Sequence, residues 1–362
     1  MTRREFLRTA STLAAAATLG GVHAHADESK KKLGFALVGL GSLSNNQLAP
    51  AFKNCRHAEL RGIVTGTPAK ADRYQKEYGI DPSHTYDYET FDRIADDDAI
   101  DVIYIVLPNG MHHEYVLRAA AAGKHVLCEK PMANSSTECR EMIAACEKAD
   151  RRLAIGYRCQ FEPHHLRCID LARQQKFGDL KFIRAGFGFK IGDPNQWRLD
   201  GKLAGGGALM DVGIYALQAC RYLSGAEPIE IAAQETKTDP KKFAEVDETI
   251  AWTMTMPGDV LCQCNTTYNF GGINMFRAQC DNGWFGLDPA YSYSGIRGKT
   301  SEGEMNIEDI DQFAAEMDAF AKVILEEATN RVPGEEGLKD LLAIEAIYRS
   351  IREGRTVKVE SV

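Results

Sequence analysis

Ten cysteines stand in this 362-residue chain, yet the sequence lacks a C-x-x-C pair and any regular cysteine spacing. That absence argues against a disulfide framework and against the common zinc arrangements. His112-His113 and His164-His165 are adjacent pairs, which do not put two ligands on one helical face, so no metal is expected. The formal charge of −8 is spread along the chain with no basic groove, which argues against a nucleic-acid partner. No low-complexity tract, internal repeat or long linker is visible, and no apolar run is long enough to span a bilayer, so no stable membrane association is expected. What remains is a chain long enough for two domains and a large core.

The N-terminus carries an address. Paired arginines, Arg3-Arg4, precede an apolar stretch from Ser11 to Val22 and a small-x-small site, Ala24-His25-Ala26. This is the pattern of a twin-arginine leader, which sends folded cargo to the periplasm. Residues 1–26 are therefore read as a signal peptide, residues 27–157 as a nucleotide-binding domain and residues 158–362 as a substrate and oligomerisation domain. Folding before export also suits a chain whose thiols are mostly buried and reduced. Cys128, Cys146 and Cys220 lie in apolar stretches, and Cys262 and Cys264 alternate on a strand-like one.

The first domain alternates apolar strands with amphipathic helices. Strands are expected over 33–38, 60–65, 101–107, 125–128 and 153–157, and helices over 69–78, 113–122 and 135–149, the last capped by Ser135 or Ser136. This order predicts a parallel, doubly wound sheet of the Rossmann type. After about residue 160 the pattern alternates apolar and polar residues over 180–190, 229–237, 249–256, 259–268 and 275–280. It predicts an α+β domain with a large, mostly antiparallel open sheet. Helices are expected over 208–223, 310–329 and 337–354.

Val38-Gly39-Leu40-Gly41-Ser42-Leu43-Ser44 follows the first strand and opens a helix, a dinucleotide fingerprint whose third glycine is Ser44. Gly39 permits the tight turn, and Gly41 lets the backbone approach a pyrophosphate. The second strand ends in Val64-Thr65-Gly66-Thr67, without the carboxylate that binds a ribose 2′-hydroxyl in NAD sites. Lys70 and Arg73 follow, so NADP is favoured, although either cation taken singly reads better as part of a solvated helix face.

Leu107-Pro108-Asn109 with His112, and Glu129-Lys130-Pro131, fall at the carboxyl ends of consecutive strands, where open α/β sheets bind ligands. Lys130 is placed to polarise a hydroxyl or carbonyl undergoing hydride transfer. Farther on, Gly205-Gly206-Gly207 leads to Asp211 and Tyr215, one helical turn apart. A phenol whose pKa is lowered by the Lys130 ammonium would serve as acid and base. A buried tyrosine bonded to Asp211 is the plain alternative.

Together the glycine motif, L-P-N-x-x-H, E-K-P, G-Y-R and G-G-G-x-L-x-D-x-G-x-Y resemble the Gfo/Idh/MocA oxidoreductases over essentially the whole chain after residue 26. Tyr215 stands where most of that family has His, which is similar to its periplasmic glucose–fructose and aldose–aldose oxidoreductase branch. The resemblance implies tightly held NADP, oxidation of an aldose at C1 to an aldonolactone, and reduction of a second sugar to an alditol at the same site. It implies Tyr215 as acid/base, Lys130 as its partner and Asp211 as the residue that positions sugar. It further implies cofactor contacts from Gly39, Gly41, Ser42, Leu43, Ser44, Thr65, Lys70, Tyr88, Leu107, Pro108, Asn109, His112, Glu129, Lys130, Arg158, Trp197, Arg198 and Tyr293. On a neutral reading Trp197 and Tyr293 are core aromatics. Only residues 27–32 separate the cleavage site from the first strand, too few for a long arm, so a homodimer formed sheet to sheet is expected. Three rivals stay open: an NADP-dependent aldose dehydrogenase with exchangeable cofactor, a non-catalytic sugar-sensing protein, and a glycosidase of the same superfamily.

Overall fold

The computed structural model describes residues 32–362. The twin-arginine pair, the apolar stretch and the cleavage site lie outside the described residues. The strands β1 (Leu33–Val38), β2 (Ala58–Val64), β3 (Thr85–Tyr86), β4 (Val102–Ile105), β5 (His125–Glu129) and β6 (Leu153–Gly156) form one sheet in the order β3-β2-β1-β4-β5-β6. Every pairing in it is parallel. Helices Pro68–Tyr78, His112–Ala121 and Ser136–Lys148 connect its strands. β4 is buried along its whole length because both faces are covered, which its unbroken apolar run requires. Ser135 is the cap of the third helix, its Oγ accepting from the Glu138 amide at 3.2 Å.

A second sheet has nine strands: β7 (Leu180–Gly188), β8 (Glu230–Thr236), β9 (Thr249–Met256), β10 (Val260–Thr267), β11 (Ile273–Cys280), β12 (Gly283–Leu287), β13 (Gly298–Thr300), β14 (Gly303–Met305) and β15 (Val357–Lys358). All its pairings are antiparallel except that of β7 with β10. One face is covered by helices Pro163–Arg173 and Ile214–Ser224. The opposite face carries the alternate residues, such as Phe182, Arg184, Leu261 and Gln263.

The helix expected over 310–329 runs only from Gln312 to Ile324. Asp311 Oδ1 accepts from the amides of Phe313 and Ala314, which fixes the start. Glu326 at φ +59° turns the chain away after the end. This helix packs back on β2, and Gly334–Glu353 packs on both Ser136–Lys148 and β8. The last third of the chain therefore clamps the two sheets together. A buried ionic cluster strengthens that clamp. Arg221 pairs with Asp340 at 2.5 Å and Glu336 at 2.9 Å, while Asp340 Oδ2 accepts from the Tyr157 hydroxyl at 2.6 Å and Gln218 Nε2 at 2.7 Å.

Candidate active site

The glycine loop after β1 has the shape its sequence demands. Gly39 sits at φ +91°, and a Cβ there would lie 2.5 Å from the Val106 carbonyl oxygen. At Gly41 a Cβ would meet nothing within 4 Å, so the backbone is open to a large ligand. Ser44 takes the third glycine position without loss of closeness, because it is buried and donates to the Gly39 carbonyl at 2.6 Å. Ser44–Leu48 is a π-helical stretch, where an ordinary helix was expected. Ser42 is exposed and Leu43 half-buried beside it. These features fit a dinucleotide approaching the helix N-terminus.

Thr65 is buried at the end of β2, its Oγ1 accepting from the Thr67 amide at 3.3 Å. Lys70, expected on a 2′-phosphate, here donates to the Leu40 carbonyl at 3.0 Å, so it braces the glycine loop from the side. Arg73 bonds to Asn45. Tyr88 lies over Gly66, whose Cβ would stand 3.3 Å from its ring. Leu107 packs on Gly39, Pro108 follows it, and Asn109 donates to the Ala204 carbonyl at 2.8 Å. His112 is corrected. It is wholly buried, its two ring nitrogens 2.9 Å from the carbonyls of Leu107 and Pro131, so it ties two loops together behind the edge where a cofactor contact was expected.

Lys130 and Asp211 come together across the two domains. The Lys130 ammonium donates to the Asp211 carbonyl at 2.6 Å and to its Oδ1 at 3.1 Å. Asp211 Oδ2 accepts from Arg198 Nε at 3.0 Å and from the Tyr268 hydroxyl at 2.8 Å. Burial would raise the Asp211 carboxyl, but Lys130 and Arg198 outweigh it and hold the group well below the usual carboxylate range. Oδ2 of Asp211 thus takes two protein donors and Oδ1 one, so the carboxylate holds Lys130 in place.

Asp211 and Tyr215 both lie beside Lys130, but the helix that carries them is not regular. Leu209–Gly213 is a π-helical turn, and only from Ile214 does an α-helix run to Ser224. The wider turn sends Asp211 toward Lys130 and Tyr215 toward the rings of Phe187 and Tyr291, whose centroids lie 5.7 and 5.4 Å from its own. Lys130 Nζ and Arg158 Cζ each lie 5.0 Å from the Tyr215 ring centroid. Burial nevertheless pushes the phenol up, against the pull of Arg158, where a lowered value was expected. The charge of Lys130 is already balanced by Asp211.

Arg158 is buried and held by the carbonyl of Tyr291 at 2.6 Å and Gln312 Oε1 at 2.7 Å. Its guanidinium lies 4.8 Å from the ring of Tyr293, which is 48% exposed and so no core aromatic. Trp197 is half-buried with Arg198 stacked 4.5 Å from its ring centroid. Two residues escaped the sequence reading. Tyr268, just past β10, orients Asp211. Asp247 accepts from the amides of Gly207 at 2.6 Å and Leu209 at 2.9 Å, capping the helix that delivers the site. Gly207 has to be glycine there, since a Cβ would fall 1.9 Å from the Asp247 carbonyl oxygen.

Residues 33–157 match the oxidoreductase family with an NAD-binding Rossmann fold, 165–286 the Gfo/Idh/MocA C-terminal domain, and 299–359 the oxidoreductase-family C-terminal alpha/beta domain. The chain is 32% identical, over 90% of its length and 93% of the relative's, to D-xylose 1-dehydrogenase [NADP(+)] of Haloarcula marismortui. It is 28% identical, over 90% and 99%, to D-xylose 1-dehydrogenase (NADP(+)) 2 of Haloferax volcanii. Among solved structures, aldose-aldose oxidoreductase from Caulobacter crescentus, complexed with glycerol, superposes with a TM-score of 0.88 at 43% identity, covering 91% of this chain and 100% of that one. With the Rossmann sheet, the open second sheet and full-length likeness in agreement, the chain belongs to the Gfo/Idh/MocA oxidoreductase family.

Proposed function

We propose that this protein is a sugar–sugar oxidoreductase that keeps NADP bound, oxidises an aldose at C1 to an aldonolactone and reduces a second sugar, aldose or ketose, to an alditol. The observation that carries this reading is the Lys130 ammonium, clamped by Asp211, beside the buried Tyr215 phenol at the carboxyl edge of the Rossmann sheet. The names of the xylose dehydrogenases and of the aldose-aldose oxidoreductase support sugars as substrates and NADP as cofactor. Gly39, Gly41, Ser42 and Thr65 would hold the nucleotide. When bound, it supplies a hydride acceptor and, once reduced, a donor.

The chain's own part is proton management. In the oxidising half, Tyr215 takes the C1 hydroxyl proton while Arg158 stabilises the phenolate that must precede it. In the reducing half the protonated phenol, the form that burial favours, returns a proton to the carbonyl oxygen of the second sugar. Asp211 keeps the ammonium fixed, so neither step waits for a flexible lysine to find its place.

Export gives cofactor retention its purpose, because a periplasmic enzyme cannot draw on cytoplasmic NADP. The twin-arginine leader and the periplasm belong to this proposal, as does a homodimer. On the uncovered sheet face Leu261, Phe182, Gln279 and Trp284 stand in register across four strands, with Gln263, Arg184, Arg277 and Gly286 in the next row. Over these four strands the two rows carry no carboxylate, Glu230 and Glu304 standing at their far ends, and Arg277 stacks 3.7 Å from the Trp284 ring centroid. A second copy of this face would bury it.

Protein purified from the periplasmic fraction and freed of loose nucleotide is expected to sediment as a dimer and to carry NADP. One aldose should raise the reduced-nicotinamide absorbance, and a second sugar should abolish it. Turnover that needs added NADP would overturn the self-recycling reading and favour the dehydrogenase.

A further inference from the structure

A phenol has one proton to give, and Tyr104 faces two carboxyl groups. It lies within β4, wholly buried, with its hydroxyl 2.8 Å from Glu129 Oε1 and 3.2 Å from Glu316 Oε2. It can donate to only one of them. The second contact is attractive only where that carboxyl is protonated and donates to the phenol oxygen. Two ionised carboxylates would set lone pair against lone pair in a dry interior. The geometry therefore puts one proton on the pair.

Its resting place follows from the surroundings. Burial pushes both carboxyls up, Glu316 well above the usual range, with the Glu129 charge and Cys159 adding to it and Arg158 opposing. Glu129 is also raised by burial, but Tyr104, Lys130 and Arg158 pull it back. Glu316 thus holds the proton, and Tyr104 donates to an ionised Glu129.

The three groups connect two places. Glu129 Oε2 accepts from the Lys130 backbone amide at 3.3 Å, and the carboxylate stands near enough to the site for its charge to raise the Tyr215 phenol and for the Lys130 ammonium to draw Glu129 down. Glu316, on helix Gln312–Ile324, helps to line a groove of about 940 Å³ between that helix and β5 and β6, along with Ala315, Ala319 and Phe320. Its other oxygen, Oε1, is buried without a partner. A buried acceptor left unpaired on a residue that borders a groove calls for water or a proton.

We propose that Glu129, Tyr104 and Glu316 form a relay that carries the proton exchanged at Lys130 and Tyr215 through the Rossmann core to this groove; it rests on the acid–base reading given above. In the outward direction the Glu316 proton turns from Oε2 to Oε1 and passes to groove water only as Glu129 takes up a proton, so the two carboxyls are never ionised together. A proton arriving at Glu129 then crosses in one double transfer: the Glu129 O–H bond breaks as a new one forms on the Tyr104 oxygen, and the old Tyr104 O–H proton passes to Glu316. One proton enters and one leaves. The phenol never carries charge, nothing is oxidised, and the reverse sequence serves the reducing half. Bound sugar can then fill the cleft mouth without trapping the proton behind it.

Infrared spectra of the purified holoprotein without sugar test the shared proton. A deuterium-sensitive band of a protonated carboxylic acid is expected at neutral pH in the wild type and absent in Glu316→Gln. The relay is then timed with one aldose, a pH indicator and weak buffer. In Glu316→Gln and Tyr104→Phe the proton should reach solvent about tenfold more slowly or worse, with nucleotide content unchanged. Lack of the band in the wild type, or wild-type proton release in both variants, would overturn the relay. Failure of every aldose to reduce the nucleotide would count against the acid–base reading, and the relay with it, even with the band in place.

Discussion

Tyr215→Phe is expected to slow both half-reactions by about 10²- to 10⁴-fold and to leave the bound nucleotide in place. The ring would keep its packing on Phe187 and Tyr291, so only the hydroxyl is removed. The residues that would hold the nucleotide lie on the loops after β1 and β2 and are untouched. Stopped-flow absorbance, one sugar at a time, checks it; a variant that still turns over at the wild-type rate would remove Tyr215 from the chemistry. Burial holds the phenol above its ordinary value, which also fixes the pH dependence of the wild type. The reducing half uses the protonated phenol and should stay level across neutral pH, falling only in strong alkali. The oxidising half needs the phenolate and should climb as pH rises over the same range. The opposite slopes would exchange the assigned protonation states.

Arg221→Ala is the stability counterpart, expected to cost about 3–5 kcal/mol. Arg221 is 1% exposed at its side chain and Asp340 0%, so the variant leaves a buried carboxylate whose cation is gone. Burial already raises the Asp340 carboxyl, and Arg221 is the strongest force against that rise. Thermal unfolding should therefore begin roughly 10 °C lower. Arg221→Met combined with Asp340→Leu is expected to regain only a part of the loss, because it removes the Asp340 charge but leaves the Tyr157 hydroxyl and the Gln218 amide without their acceptor. A single variant as stable as the wild type would show the cluster to be neutral.

Both sheets could be read from the sequence because their patterns differ: continuous apolar runs in β1 and β4, alternation in β9 and β10. The two-residue β3 and the short β13 and β14 could not, since each has too few residues to show a period. Gly39, Ser44, Lys130, Asp211 and Tyr215 were visible as types at expected spacings. What they touch was not. Lys130 turns to Asp211, Lys70 to a carbonyl and His112 to two loops, because a cation or imidazole beside exposed carbonyls takes the nearest acceptor. Tyr104 and Glu316 did leave a trace. One is a hydroxyl inside a strand buried on both faces, and the other a carboxylate on the apolar face of a helix between Phe313 and Phe320. Each had to find a partner indoors.

The π-helical turn at Leu209–Gly213 makes chain length itself a determinant of the site. Such a turn holds one residue more than an α-helical one. The helix from Ile214 to Leu223 is buried almost all round and is fixed by its neighbours. Deleting a single residue from the turn would close it into a regular helix and rotate Asp211 by about 100° about the axis, out of reach of Lys130. A homologue one residue shorter here would lose the clamp with every catalytic residue still present in its sequence.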